Sequence, residues 1–241
     1  MPTYFFPDHV YVCAVQDQGF FLDLKRNEYL SAPLKELQSL SGCVDGWPVE
    51  FGDRGAPIEA AVAQSTIADL ASNDILRTKP ARGGGLELPP GPPARKALLE
   101  YGATGYPPVF RFYLLSFLKA ALVARYYISV RSLYSMMRRN ERRQARAAAS
   151  HGSCDLAMTR GLVEVFKRLQ PLLPPTRTPC LVNSITLLEF LAAHGQFPRL
   201  VFGVQAHPFN AHCWIQHDDV VFNSTLQHVQ QFTPMNGRRC A

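Results

Sequence analysis

No CxxC pair occurs in this chain of 241 residues. Its six cysteines, at positions 13, 43, 154, 180, 213 and 240, are scattered. That spacing indicates neither a zinc site nor a disulfide framework. It predicts reduced thiols in a cytoplasmic setting, with at most one thiol given a special role. Charge is sparse, at 18% of residues against 47% apolar, which excludes a disordered chain. No long hydrophobic run is uninterrupted: the best stretch, Val109 to Val130, carries Arg111, Lys119 and Arg125. A membrane span is therefore not expected. Met1-Pro2-Thr3-Tyr4 lacks the basic start and apolar run of a secretory signal, and none is expected. No GxxxxGK[ST] phosphate loop is present, so no nucleotide site and no cofactor is assigned. The 16 glycines and 19 prolines are ordinary in number, which excludes a collagen-like chain.

The charge that is present is unevenly spread. Residues 1–79 carry a net charge of −5, residues 95–169 a net +10, and the overall balance is +6. Between the two lies Lys79-Pro80-Ala81-Arg82-Gly83-Gly84-Gly85, followed by Pro89-Pro90-Gly91-Pro92-Pro93. Glycines free the backbone and paired prolines stiffen it without permitting helix. Three segments follow: an N-terminal domain over 1–79, a linker over 80–94 and a second domain over 95–241.

In the first segment, Val10–Val15, Phe20–Leu24 and Glu28–Ser31 read as strands separated by polar turns. Pro33 starts a helix that Gly42 stops, and 58–63 and 66–71 read as two further short helices. Three strands with three helices in about 80 residues is a winged helix-turn-helix layout. After the linker, Phe110, Leu114, Leu115, Leu118, Leu122 and Tyr126 keep helical spacing and predict an apolar helix face. Arg138, Arg139, Arg142, Arg143 and Arg146 follow and read as a solvated helix face, with an acidic partner or nucleic acid as the alternative. Beyond Gly152 a second helix is expected over 155–170, then a helix from Thr178 to about Gly195, then strands at 199–205, 211–216 and 220–223. That order is an α+β pattern.

Cys180 draws attention because Thr178 is a plausible N-cap and Pro179 a first-turn residue. A thiol in the first turn of a helix sees free N–H groups and the positive helix end, which favour a thiolate. The same N–H groups can receive an oxyanion. The competing reading is a small buried hydrophobe. His212 strengthens the first. It sits in a strand with Trp214 and Gln216 on one face by the period of two, leaving Cys213 to the other face and the core. A helix-terminal Cys facing a strand His is the papain-type arrangement, with His as base and then acid. His207, His217 and His228 read as surface residues.

Cys180-Leu181, then Phe202-Gly203-Val204, then Pro208-Phe209-Asn210-Ala211-His212-Cys213-Trp214 resemble the transglutaminase-like leader peptidases of lasso peptide biosynthesis. The N-terminal segment resembles the small winged-helix domain that recognises peptides in ribosomal peptide maturation. Fused in this order, the two resemble the one-chain lasso B proteins. The resemblance implies a fold and a set of roles: an N-terminal winged-helix peptide-recognition domain, an arginine-rich helical segment, and a C-terminal papain-like α+β domain. It implies a cysteine peptidase that removes the leader from a precursor peptide, with a separate ATP-dependent cyclase as partner. It also implies that the leader adds as a strand beside Glu28, Tyr29, Leu30 and Ser31, against a helix near Ile67 and Leu70.

The family carries an Asn-Asp pair after the strand that follows the His, and the Asp orients the imidazole. Here the pair is Asn223-Ser224. If Asp218-Asp219 is a two-residue turn, Asn223 pairs with Trp214 and shares the face of His212. A three-residue loop places Ser224 there instead, and Asp218 or Asp219 serves only if the turn folds back. Asn223 is the expected third residue. Three rival functions remain. A DNA-binding winged-helix regulator is opposed by the acidic N-terminal segment. The others are an acyl transferase that cross-links and a non-catalytic peptide-binding scaffold.

Overall fold

A computed structural model describes residues 3–52, 60–79, 92–98, 111–149 and 154–237. Most of the expected linker, with Ile58, Phe110, Gly152 and Cys240, lies outside the described residues. The described residues form two compact units. One takes those of Met1–Pro90, Val204–Asn210 and Thr233–Ala241, the other those of Gly91–Gly203 and Ala211–Phe232. Residues 204–210 and 233–237 group with the N-terminal unit in this division.

The N-terminal unit begins with β1 (Tyr4–Phe5), β2 (Val10–Val15), β3 (Gln18–Asp23) and β4 (Glu28–Pro33). It continues with α1 (Leu34–Gln38), β5 (Val44–Asp45) and α2 (Ala60–Ser72). β2, β3 and β4 form an antiparallel meander in which Val15 faces Gln18 and Asp23 faces Glu28. Its turns need left-handed backbone at Gln16 and Asn27, with φ of 56° and 58°; Asn tolerates that region well. Phe6, Phe21, Leu37, Phe51, Leu70 and Ile75 fill the core. The two short helices expected at 58–63 and 66–71 are instead parts of one helix, α2. No Gly or Pro interrupts residues 60–72, and Thr66 turns its hydroxyl onto the Val62 carbonyl within the helix at 3.0 Å. With α2 continuous, the described helices here are α1, α2 and a 3₁₀ turn at Val49–Phe51.

The second unit holds β6 (Lys96–Ala97), α3 (Arg111–Ser129), α4 (Leu133–Ala149), α5 (Leu156–Leu169) and α6 (Pro179–Ala193). β7 (Arg199–Gln205), β8 (Asn210–His217), β9 (Val220–Val221) and α7 (Leu226–Val229) follow. β10 (Thr233–Pro234) and β11 (Asn236–Gly237) close the chain order but belong to the first unit, within which β11 pairs with β2. Strands β7, β8, β9 and β6 lie side by side in that order, with β6 parallel to β9. α6 is the central helix: Leu181, Ile185, Leu187, Leu188, Phe190 and Leu191 are all buried. A helix apolar on most sides is one enclosed by its neighbours.

α3 confirms the helical spacing but not the face. Leu115, Leu118, Leu122 and Tyr126 are exposed, while Phe117, Ala120 and Ala124 are buried and α3 packs along α6. Small side chains at the contact let two helix axes approach closely. The arginine run of α4 is not simply a solvated face either. Arg139 and Arg143 converge on the buried Glu189 of α6, the Arg143 contacts being 2.9 and 3.1 Å. A charge placed at a core helix requires such partners.

Candidate active site

α6 starts as the sequence predicts. Thr178 is the N-cap, with no side-chain hydrogen bond, Pro179 occupies the first turn and Cys180 follows it. The first-turn N–H groups have no intrahelical acceptor, so the sulfur sits at the positive helix end. Cys180 and Ser184 lie four residues apart and so share one face of α6.

That face meets β8 along an edge that β9 leaves uncovered. Within β8, β9 pairs with Gln216 and His217. Beyond it the Ile215 carbonyl still accepts from the Phe222 N–H at 2.9 Å, and the Ile215 N–H donates to the Asn223 side-chain oxygen at 2.8 Å. Two residues earlier the period of two returns the backbone to the same edge. There α6 takes the place of a strand. The Cys213 carbonyl accepts from the Ser184 hydroxyl at 3.1 Å. The Asn223 amide also donates to the Ser184 hydroxyl at 2.8 Å, joining strand edge to helix.

The consequence for Cys180 is electrostatic. A hydrogen bond from the Cys213 thiol, then one with the His212 ring, pulls its thiol down to about 4, against the opposing effect of burial. The Cys213 thiol is pushed well up, first by its bond to Cys180 and then by burial, so it keeps its proton. Cys213 is buried, as expected.

His212 is held by rings. Trp214 is stacked with it at 6.0 Å between centroids, Phe232 is tilted against it at 5.3 Å, and His228 meets it edge to face at 4.6 Å. Gly203 makes room for this cluster, since a Cβ there would lie 2.8 Å from the Trp214 ring. The indole N–H of Trp214 donates to Gln216, whose amide donates to the carbonyls of Pro92 and Asp218. His212 Nε2 is buried and has no hydrogen-bond partner among the described residues.

The register resolves the turn question. His217 faces Val220, so Asp218-Asp219 is the two-residue turn. Asn223 nevertheless does not hold the imidazole, because its hydrogen bonds run to Ile215 and Ser184. The ladder ends at Val221, and past it the amide substitutes for the missing backbone partner of Ile215. Ser224 is buried, and Asp218 is exposed at the turn with its carboxylate near His217.

Of the expected peptide-binding residues, Glu28, Tyr29, Leu30 and Ser31 lie on β4, the outer strand of its sheet. An outer strand presents unpaired N–H and C=O groups to an added strand. Ile67 is half-buried, but Leu70 is sealed in the core and offers no docking surface. Phe209 packs on this unit, against the rings of Phe20 and Tyr29. Sequence reasoning missed Cys213 and Ser184 as neighbours of Cys180, and it missed the contact of the exposed His228 with His212. The i, i+4 spacing of Cys180 and Ser184 was the available signal. Cys13, by contrast, is buried, and its thiol is pushed up to about 12 by burial. Among the described residues no group of three or more His, Cys, Asp or Glu is placed to hold a metal ion, and no helix is long and apolar enough to cross a membrane.

No curated protein and no solved structure matches the chain significantly. Residues 117–237 match the transglutaminase-like superfamily, a span that covers half of the sequence and holds Cys180, His212 and the whole β8 edge. On that match the chain belongs to the transglutaminase-like superfamily.

Proposed function

We propose that this chain is a cysteine peptidase that cleaves the leader from a lasso precursor peptide. The observation that carries the reading is the pairing of a thiolate-prone Cys180 with His212 at a helix N-terminus in a transglutaminase-like domain. His212 accepts the Cys180 proton, and the sulfur attacks the scissile carbonyl. The oxyanion is received by the open N–H groups of the first turn of α6. His212 then protonates the leaving amine, and water hydrolyses the thioester. The outer strand β4 supports leader capture by strand addition through Glu28–Ser31, with Ile67 beside it. The product would pass to an ATP-dependent cyclase in the cytoplasm. Incubation with the precursor peptide, followed by mass measurement, tests the reading. It expects a free leader and a free core, and an intact precursor overturns it.

One rival shares the chemistry. A cross-linking acyl transferase would deliver the same thioester to an amine, so an added primary amine separates the two by its adduct. The unpartnered Nε2 of His212 favours a second rival, a non-catalytic scaffold. That scaffold binds precursor and leaves its mass unchanged.

A further inference from the structure

We infer that His228 is a positioning residue for His212, holding that imidazole ring against ring where it has no hydrogen-bond acceptor. The inference rests on the peptidase reading for its effect on turnover, while the contact itself is independent of any substrate. Three observations converge. His212 Nε2 is buried and has no hydrogen-bond partner among the described residues, and Asn223 directs its own bonds to Ile215 and Ser184. Of the described rings around His212, Trp214 and Phe232 are buried and His228 is exposed, yet His228 lies nearest, at 4.6 Å between centroids. The backbone that presents His228 is anchored on both sides. Thr225 caps α7 by accepting from the His228 N–H at 3.3 Å, and Val229 and Phe232 pack with Trp214 and Val221 in one buried cluster.

The role follows from the electrostatics of rings. An edge-to-face pair is favoured because a ring edge is positive and a ring face negative. That preference orients an imidazole without a carboxylate. It strengthens when His212 takes the Cys180 proton, since a cation is attracted to a neutral aromatic ring. His228 has to be neutral for this. Burial, and then the charge of His212, hold its ring below the ordinary histidine value, with Cys180 opposing; these are the titratable groups that face it from β8 and α6. Once acid protonates His228, two like charges stand with ring centroids 4.6 Å apart, attraction turns to repulsion, and His212 loses its outer wall. The two imidazoles therefore titrate as a pair. Turnover should fall on the acid side while Cys180, whose thiol is pulled down to about 4, is still a thiolate.

Two variants of the full chain test it: His228→Ala removes the ring, and His228→Phe keeps a ring that cannot be protonated. Cleavage of the precursor peptide is followed against pH. His228→Ala should lose about tenfold or more in kcat with KM nearly constant, the order expected when a reacting group shifts by a fraction of an ångström. His228→Phe should recover most of that loss. Its acid limb should lie about one pH unit or more below that of the parent, the scale of removing a like charge at about 4–6 Å. An unmoved kcat in His228→Ala overturns the proposal, as does a His228→Phe variant no better than His228→Ala or one whose acid limb stays in place. NMR titration of the histidine rings supplies a readout free of substrate. The His228 midpoint should rise in His212→Phe, which keeps the neighbouring ring and removes its charge, and a midpoint that stays put overturns the proposal. If His228→Ala does not fold, His228→Phe and this titration decide. A parent chain that leaves the precursor intact removes the peptidase reading, and the titration then decides this one alone.

Discussion

Ser184 hydrogen-bonds the carbonyl of Cys213 across the boundary between α6 and β8, one helical turn below the nucleophile. The contact joins the element that carries Cys180 to the element that carries His212. The arrangement of the two residues is thus tied to how one helix replaces one strand.

Removing the nucleophile should separate chemistry from binding. Cys180→Ala is expected to abolish precursor cleavage while leaving precursor affinity unchanged, because Glu28–Ser31 lie in the other unit. Fluorescence anisotropy of a labelled leader and a cleavage assay measure the two independently. Cleavage at the parent rate would remove Cys180 from the mechanism.

Removing the base should cost about 10³-fold in turnover in His212→Ala, the scale of losing a general acid–base group whose partner nucleophile remains.

Asn223 has a different signature. Asn223→Ala releases the Ser184 hydroxyl and strands the Ile215 N–H. Turnover should fall by about 10- to 10²-fold, the order expected when reacting groups shift by a fraction of an ångström to an ångström. KM should stay nearly constant, because leader recognition is untouched. Ser224→Asp should be neutral or harmful, since the two-residue turn directs that position away from His212. A gain of activity in Ser224→Asp would mean the register shifts in solution.

The pH dependence has a definite sign. A thiol held near 4 is anionic above that value, so alkylation of Cys180 should be flat from about pH 6 upward and decline only as pH falls towards 4. An ordinary cysteine would instead climb steeply through pH 8. Rates measured from pH 4 to 9 distinguish the two profiles.

Gly203→Ala tests the ring cluster. The new methyl meets the Trp214 ring at 2.8 and 2.9 Å, and a packed ring cannot swing aside as a surface side chain can. A stability loss of about 1–3 kcal/mol is expected from overpacking, seen as a lowered Tm. Turnover should fall beyond that loss, because Trp214 stacks on His212.

Much of this was legible beforehand, and for a physical reason. β2 at Val10–Val15 and β7 at Arg199–Gln205 follow their β-branched runs residue for residue. α6 begins where Thr178-Pro179 says it should. Local propensity and capping write these features into short stretches. The face of α3 was not legible, because Ala120 and Ala124 are chosen by the closeness of α6 and not by hydrophobicity. The placement of Cys213 was hidden by a rule that is sound within a sheet. Alternation assigns side chains to faces, but at an open edge the backbone and its flanking side chains meet whatever lies in the plane of the sheet. Asn223 misled for the same reason: the ladder ended two residues before it.

The chain passes between its two units four times, at 90/91, 203/204, 210/211 and 232/233. Cleavage confined to residues 80–91 would therefore leave a first piece that lacks parts of its own unit. The piece ending near 90 would lose the 204–210 and 233–237 contributions to its own unit, including the β11 partner of β2. Recombinant dissection within residues 80–91 should give an N-terminal fragment poorer in folding than its sequence suggests, and adding the remaining piece in trans should restore it.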